Sequence, residues 1–143
     1  KINAKGDLNV DEHHVIEDIG ICLGQALKKA LGEKKGIQRY GFLLPMDESL
    51  AEVTLDLGGR SYLVWNVNFK REKIGDMPTK LFEDFFKSLS DNLCANLHIN
   101  LKYGRNEHHM AEGIFKAFAR ALRFAVSEEE RVKDLLPSTK GKL

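Results

Sequence analysis

The sequence predicts an α+β fold made of two tandem half-domains related by duplication, the first of them incomplete. Three observations predict it. Glu12-His13-His14-Val15-Ile16-Glu17 recurs as Glu107-His108-His109-Met110-Ala111-Glu112 at an offset of 95 residues, and self-similarity at a fixed offset marks a repeated supersecondary unit. Each copy leads into apolar residues at helical spacing, and at the same offset Ala26 meets Ala121 and Leu27 meets Leu122. Strand-like apolar runs, punctuated by glycine and proline, fill the interval between the copies.

The elements follow in chain order. Ile2 to Ala4 reads as the last strand of the first half. A helix runs from about Asp11, which suits an N-cap, to Leu31, with Ile16, Ile19, Leu23, Leu27 and Ala30 as its apolar stripe and Gly32 as its stop. Val53–Leu57 and Tyr62–Phe69, separated by Gly58-Gly59, read as a hairpin. A helix carrying Leu81, Phe82, Phe85, Phe86 and Leu89 follows Pro78-Thr79. A strand then places Leu97, Ile99 and Leu101 on one face and Asn96, His98 and Asn100 on the other. The second repeated helix runs from Asn106, a good cap, to about Val126. Residues 1–36 are thus the remnant of a first repeat, and residues 37–143 a second repeat with a C-terminal tail. Projecting the second half back by the offset puts the expected start of the first roughly 45 residues before Lys1.

Length and composition agree with one folded domain of 143 residues, 43% hydrophobic and 30% charged. Lys plus Arg is 22 against 21 Asp plus Glu, a net charge of +1, which argues against nucleic-acid binding through bulk positive charge. No apolar run approaches a membrane span. With no secretory h-region, a cytoplasmic protein is expected, with Cys22 and Cys94 reduced and buried.

On a helix, residues four apart share a face. His13 with Glu17, and His108 with Glu112, can therefore each offer an imidazole nitrogen and a carboxylate to one cation. His14 and His109 point elsewhere and serve a second cation. Neither site closes on one helix, so other ligands must come from a second element or another subunit. Imidazole and carboxylate without cysteine suit Mn, Fe, Co, Ni or Zn. The H-E-x-x-H arrangement of metalloproteases is absent. His98 is a candidate further ligand. Lys116, four residues after Glu112, reads either as a solvated lysine or as one reaching a metal-bound anion. Arg39, Arg60 and the tail Ser138-Thr139-Lys140-Gly141 add groups able to hold a phosphate.

These residues carry a family resemblance. Lys5-Gly6-Asp7-Leu8, Asp11 to Asp18-Ile19-Gly20, Pro45-Met46-Asp47-Glu48, Gly59-Arg60, Tyr103 to Glu112, Phe115-Lys116-Ala117 and Pro137 to Gly141 resemble the imidazoleglycerol-phosphate dehydratases of histidine biosynthesis. The stretch Arg39 to Met46 is similar to the dehydratase part of bifunctional members. The resemblance implies a ribosomal S5 domain 2-like fold, with helices packed between two mixed sheets. It implies a hydro-lyase that dehydrates imidazole glycerol phosphate to imidazole acetol phosphate, with two Mn ions per complete site. His13, His14, Glu17, His98, His108, His109 and Glu112 would be ligands, with Glu17 and Glu112 the candidate catalytic carboxylates. Arg39, Arg60, Lys116, Ser138 and Lys140 would bind the substrate, largely through its phosphate. Subunits would form trimers that assemble into a 24-subunit shell. The family's N-terminal strand pair, histidine-bearing helix and acid/base glutamate have no match in this chain, so impaired activity is expected. The sequence leaves two alternatives open: a metal-poor trimeric form without catalysis, and another metalloenzyme such as a hydrolase.

Overall fold

A computed structural model describes residues 1–142, apart from the side chains of Phe42 and Leu43. The last residue of the expected tail, Leu143, lies outside the described residues. Three long helices and a mixed sheet give the α+β class that the sequence predicts.

The helices fall where local signals put them. α1 spans His13–Leu31, α2 Leu81–Leu93 and α3 Glu107–Ala125. Asp11 Oδ1 accepts the His13 backbone N–H at 3.0 Å, and the chain leaves α1 through Gly32 at φ 52. Asn106 caps α3 in extended conformation, its side chain accepting from the His108 and His109 N–H groups. These bonds satisfy donors that a helix start otherwise leaves unpaired. The strand expected at Ile2–Ala4 does not form: residues 1–12 run as irregular chain and turns. Among the described residues they have no strand to pair with, and a lone strand cannot satisfy its backbone groups.

The strands correct the sequence reading more deeply. β1 (Tyr40–Met46) and β2 (Ser49–Asp56) form the hairpin, turning tightly at Asp47-Glu48 with Asp47 at φ 45. β3 (Tyr62–Asn66) does not pair with β2; β6 (Asn96–Tyr103) lies between them, giving the order β1-β2-β6-β3. A two-residue ladder of β4 (Lys73–Ile74) and β5 (Met77–Pro78) precedes α2. The reason is the connection. β3 and β6 are joined through α2, and a strand–helix–strand unit closes as a parallel crossover. The observed β3–β6 pairing is parallel. The expected hairpin at Gly58-Gly59 would have denied β6 its central place, where Leu97 and Ile99 are almost fully buried.

One face of the sheet carries the helices. α3 packs on β1 and β2, α2 lies against β3, and α1 packs on α2. The core joins Val53, Leu55 and Leu57 of the β2 region, Leu97 and Ile99 of β6, Phe86, Leu89 and Leu93 of α2, and Ile114, Ala117 and Phe118 of α3. Gly20 and Gly24 let α1 approach α2 closely: a Cβ at either would stand 2.7 Å from the carbonyl oxygen of Phe85 or Leu89. This contact holds the first histidine turn against α2. The expected burial of both cysteines is not observed. Cys22 is exposed, and Cys94 is half-buried at the C-cap of α2 with Lys28 Nζ 3.0 Å from its sulfur.

Candidate metal and anion sites

The two repeated turns open α1 and α3, so their donors project from helix N-termini. In α1, His13 Nε2 lies 3.9 Å from Glu17 Oε2, the i,i+4 pair that the spacing predicts. The other ring nitrogen, Nδ1, lies 3.5 Å from Asp84 Oδ2 of α2. Glu17 and Asp84 therefore flank opposite sides of one imidazole. His14 Nε2 is 2.8 Å from Asp7 Oδ1, with Asp11 at 3.6 Å from Nδ1. The hydrogen bond to Asp7 raises the His14 pKa above its ordinary value and lowers that of Asp7.

In α3, His108 Nε2 lies 3.6 Å from Glu112 Oε2, the second i,i+4 pair. Lys116 Nζ stands 2.6 Å from Glu112 Oε1, and this bond holds the Glu112 carboxyl below its usual pKa. His109 turns to the β1–β2 hairpin, where its Nδ1 is 2.8 Å from Glu48 Oε2. The other Glu48 oxygen accepts the backbone N–H groups of Arg105 at 3.3 Å and Asn106 at 2.9 Å. The His109 bond, helped by these N–H groups, pulls the Glu48 pKa down to about 2, and His109 is raised in return.

These donors fit a borderline divalent cation in kind: neutral imidazole nitrogen beside carboxylate oxygen. They fit it as half-sites. Among the described residues no group of three His, Cys, Asp or Glu is arranged to hold a metal ion. The sequence reading found both i,i+4 pairs but missed Asp84, Glu48 and Asp7, which meet His13, His109 and His14 from other segments. Asp84 is set in the phenylalanine-rich start of α2, and Glu48 in a hairpin turn. No spacing rule links either to a histidine; only the packing does.

The predicted phosphate-holding residues separate into groups. Arg39, Arg60, Ser138 and Lys140 line one cleft of about 500 Å³ with Gly58, Gly59 and the tail. Arg39, at φ 72, is clamped from two sides: its guanidinium donates to both carboxylate oxygens of Asp56 and to the Pro137 carbonyl at 2.8 Å. That clamp draws the tail across the end of β2. Ser138 Oγ donates to the Lys142 carbonyl and accepts the Lys140 N–H, shaping a tight turn. Lys116 does not line this cleft; it stays on α3 beside Glu112 and Met46.

His98 is also placed apart. It is exposed on the sheet face opposite the buried Leu97 and Ile99, lining a hollow with Tyr40, Thr54, Asp56, Arg60 and Asn96, and its ring lies 6.5 Å from that of Tyr62. The strand alternation showed that His98 faces away from the core. Only the fold shows that its neighbours are Arg60 and Asp56 and that the histidine turns lie on the helical layer.

Comparison with known proteins identifies the family and the fold. The sequence profile of the family described as imidazoleglycerol-phosphate dehydratase matches residues 1–122. A histidine biosynthesis bifunctional protein HisB from Spirosoma linguale is 58% identical over 142 residues, 99% of this chain and 37% of that protein. An imidazoleglycerol-phosphate dehydratase from Granulibacter bethesdensis is 54% identical over 143 residues, 99% of this chain and 73% of that one. The chain thus spans little more than a third of the bifunctional relative and about three quarters of the other. Among solved structures, the dehydratase of Staphylococcus aureus superposes with a TM-score of 0.80 at 46% identity, covering 84% of this chain and 71% of that one. The Pyrococcus furiosus IGPD superposes at 0.82 with 40% identity, covering 97% and 74%. With the family profile spanning residues 1–122, a dehydratase 54% identical and covered over 73% of its length, and the fold shared with solved dehydratases, the chain belongs to the imidazoleglycerol-phosphate dehydratase family.

Proposed function

We infer that this chain contributes to the dehydration of imidazole glycerol phosphate to imidazole acetol phosphate, a hydro-lyase step of histidine biosynthesis. The observation that carries the reading is the pair of helix N-termini that each bring a histidine nitrogen and a glutamate oxygen within 4 Å, in a chain matched by this family's profile over residues 1–122.

His13 with Glu17, and His108 with Glu112, would each hold part of a divalent cation, Mn in our reading, and His14 and His109 would each hold part of a second. Bound there, such cations supply Lewis acidity that stabilises negative charge on a nitrogen heterocycle. The remaining donors come from another subunit, so a shared site and a homo-oligomer, trimer or 24-mer, belong to the same proposal. Glu17 and Glu112 act first as ligands. Lys116, beside Glu112, stands where it can meet an anionic substrate group. Arg39, Arg60, Ser138 and Lys140 form the phosphate cleft; binding that remote group fixes the reacting carbon and hydroxyl in place, which lowers the barrier through positioning. Asp56 and Pro137 keep Arg39 aimed into the cleft before substrate arrives, so little ordering remains to be done on binding.

The test is made on the full-length gene product. His109→Ala lowers Mn occupancy by elemental analysis, whereas Lys116→Ala keeps the metal and raises KM for imidazole glycerol phosphate. Equal metal loss in the two variants contradicts the assigned roles. A metal-loaded wild-type protein that leaves imidazole glycerol phosphate unchanged removes the dehydratase reading.

A further inference from the structure

Glu48 is a carboxylate beside the second histidine turn with partners at hydrogen-bond distance on both of its oxygens. It projects from the β1–β2 turn with its side chain 23% exposed, against 72% for neighbouring Asp47. Oε1 accepts from two consecutive backbone N–H groups, Arg105 and Asn106, in the segment leading into α3. Oε2 faces His109 Nδ1 at 2.8 Å. An ionised carboxylate only accepts hydrogen bonds, so the shared proton sits on His109 Nδ1. The Nε2 lone pair is then free.

We propose that Glu48 is a positioning residue: it fixes the Nδ1–H tautomer and ring orientation of His109, so that Nε2 is presented to a divalent cation. A histidine ligand whose other ring nitrogen donates to a carboxylate is held in one tautomer and made more basic. The tautomer half of the proposal stands on the hydrogen bonds alone; the cation half rests on the metal reading above.

The isosteric Glu48→Gln separates this role from packing. An amide has one oxygen and one NH2 group. The two backbone N–H groups claim the oxygen, so the NH2 turns towards His109 and Nδ1 must accept. The ring proton then moves to Nε2, the nitrogen a cation needs. Size and shape are unchanged.

The experiment is long-range ¹H–¹⁵N NMR of the ring-labelled, metal-free full-length gene product, above the pH at which the ring is protonated, with Mn titration of the same samples. We expect His109 to be Nδ1–H in the wild type and Nε2–H in Glu48→Gln, with Mn affinity at least about tenfold weaker in the variant. A wild-type His109 that is Nε2–H, or a rapid mixture of tautomers, overturns the proposal without any variant needing to fold. An unchanged tautomer in Glu48→Gln overturns it as well. If the tautomer moves but Mn affinity does not, the pinning does not serve a cation and that half is overturned. If His109 is Nδ1–H yet the wild type binds no Mn, the metal reading fails and takes the cation half with it.

Discussion

His109 and Glu48 show what a single residue contributes in this molecule. Their bond shifts both groups, and the shifts set a pH window for stability. His109 is raised from 6.5, so its contribution is complete below that value and is lost as pH rises through the folded value. Glu48 is lowered from 4.5 to about 2, so its contribution is complete above 4.5 and is lost as pH falls towards 2. His14 and Asp7 shift in the same two directions. The metal-free chain should therefore show its highest urea midpoint between pH 4.5 and 6.5, and Glu48→Gln should flatten the dependence on the alkaline side. A midpoint that climbs steadily from pH 6.5 to higher values contradicts this assignment.

At the scale of the element, the start of α3 and the α1–α2 contact carry the site. Asn106 accepts from the N–H groups of His108 and His109, so it orders both histidines as well as capping the helix. Asn106→Ala should cost about 1 kcal/mol of stability in chemical denaturation and speed amide exchange at His108 and His109. Gly24 faces the Leu89 carbonyl and Asn92. An alanine there pushes backbone against backbone, and Gly24→Ala should cost about 1–3 kcal/mol by the same measurement. Neutrality would mean that α1 shifts freely on α2. The element scale also shows where sequence reasoning works. Helix starts are local events, written in Asp11 and Asn106 and in the stripe of apolar residues. β1 went unrecognised because Gly41 and Pro45 interrupt it, and both residues argue against a regular strand.

The whole molecule depends on Phe86. It is fully buried and makes ring contacts with Trp65 of β3, Phe85, Phe115 and Phe118, so one side chain ties sheet, α2 and α3 together. Phe86→Ala should cost about 3–5 kcal/mol, read as a lower urea midpoint, while Cys22→Ala on the exposed face of α1 should stay close to wild type. Loss of equal size in both would mean that the core is organised elsewhere. Among the described residues no helix is long and apolar enough to cross a membrane.

The sequence by itself determined the three helices, the α+β class and the facing of His13 with Glu17 and His108 with Glu112. Those features depend on residues within one or two turns of each other, and helical geometry fixes such neighbours without outside help. The tertiary structure alone decided that β6 enters between β2 and β3, that Asp84 meets His13, that Glu48 meets His109, and that His98 sits beside Arg60. Each of these contacts joins residues far apart in the chain, so each is set by how the helices stack and how the crossover closes, which no local spacing encodes.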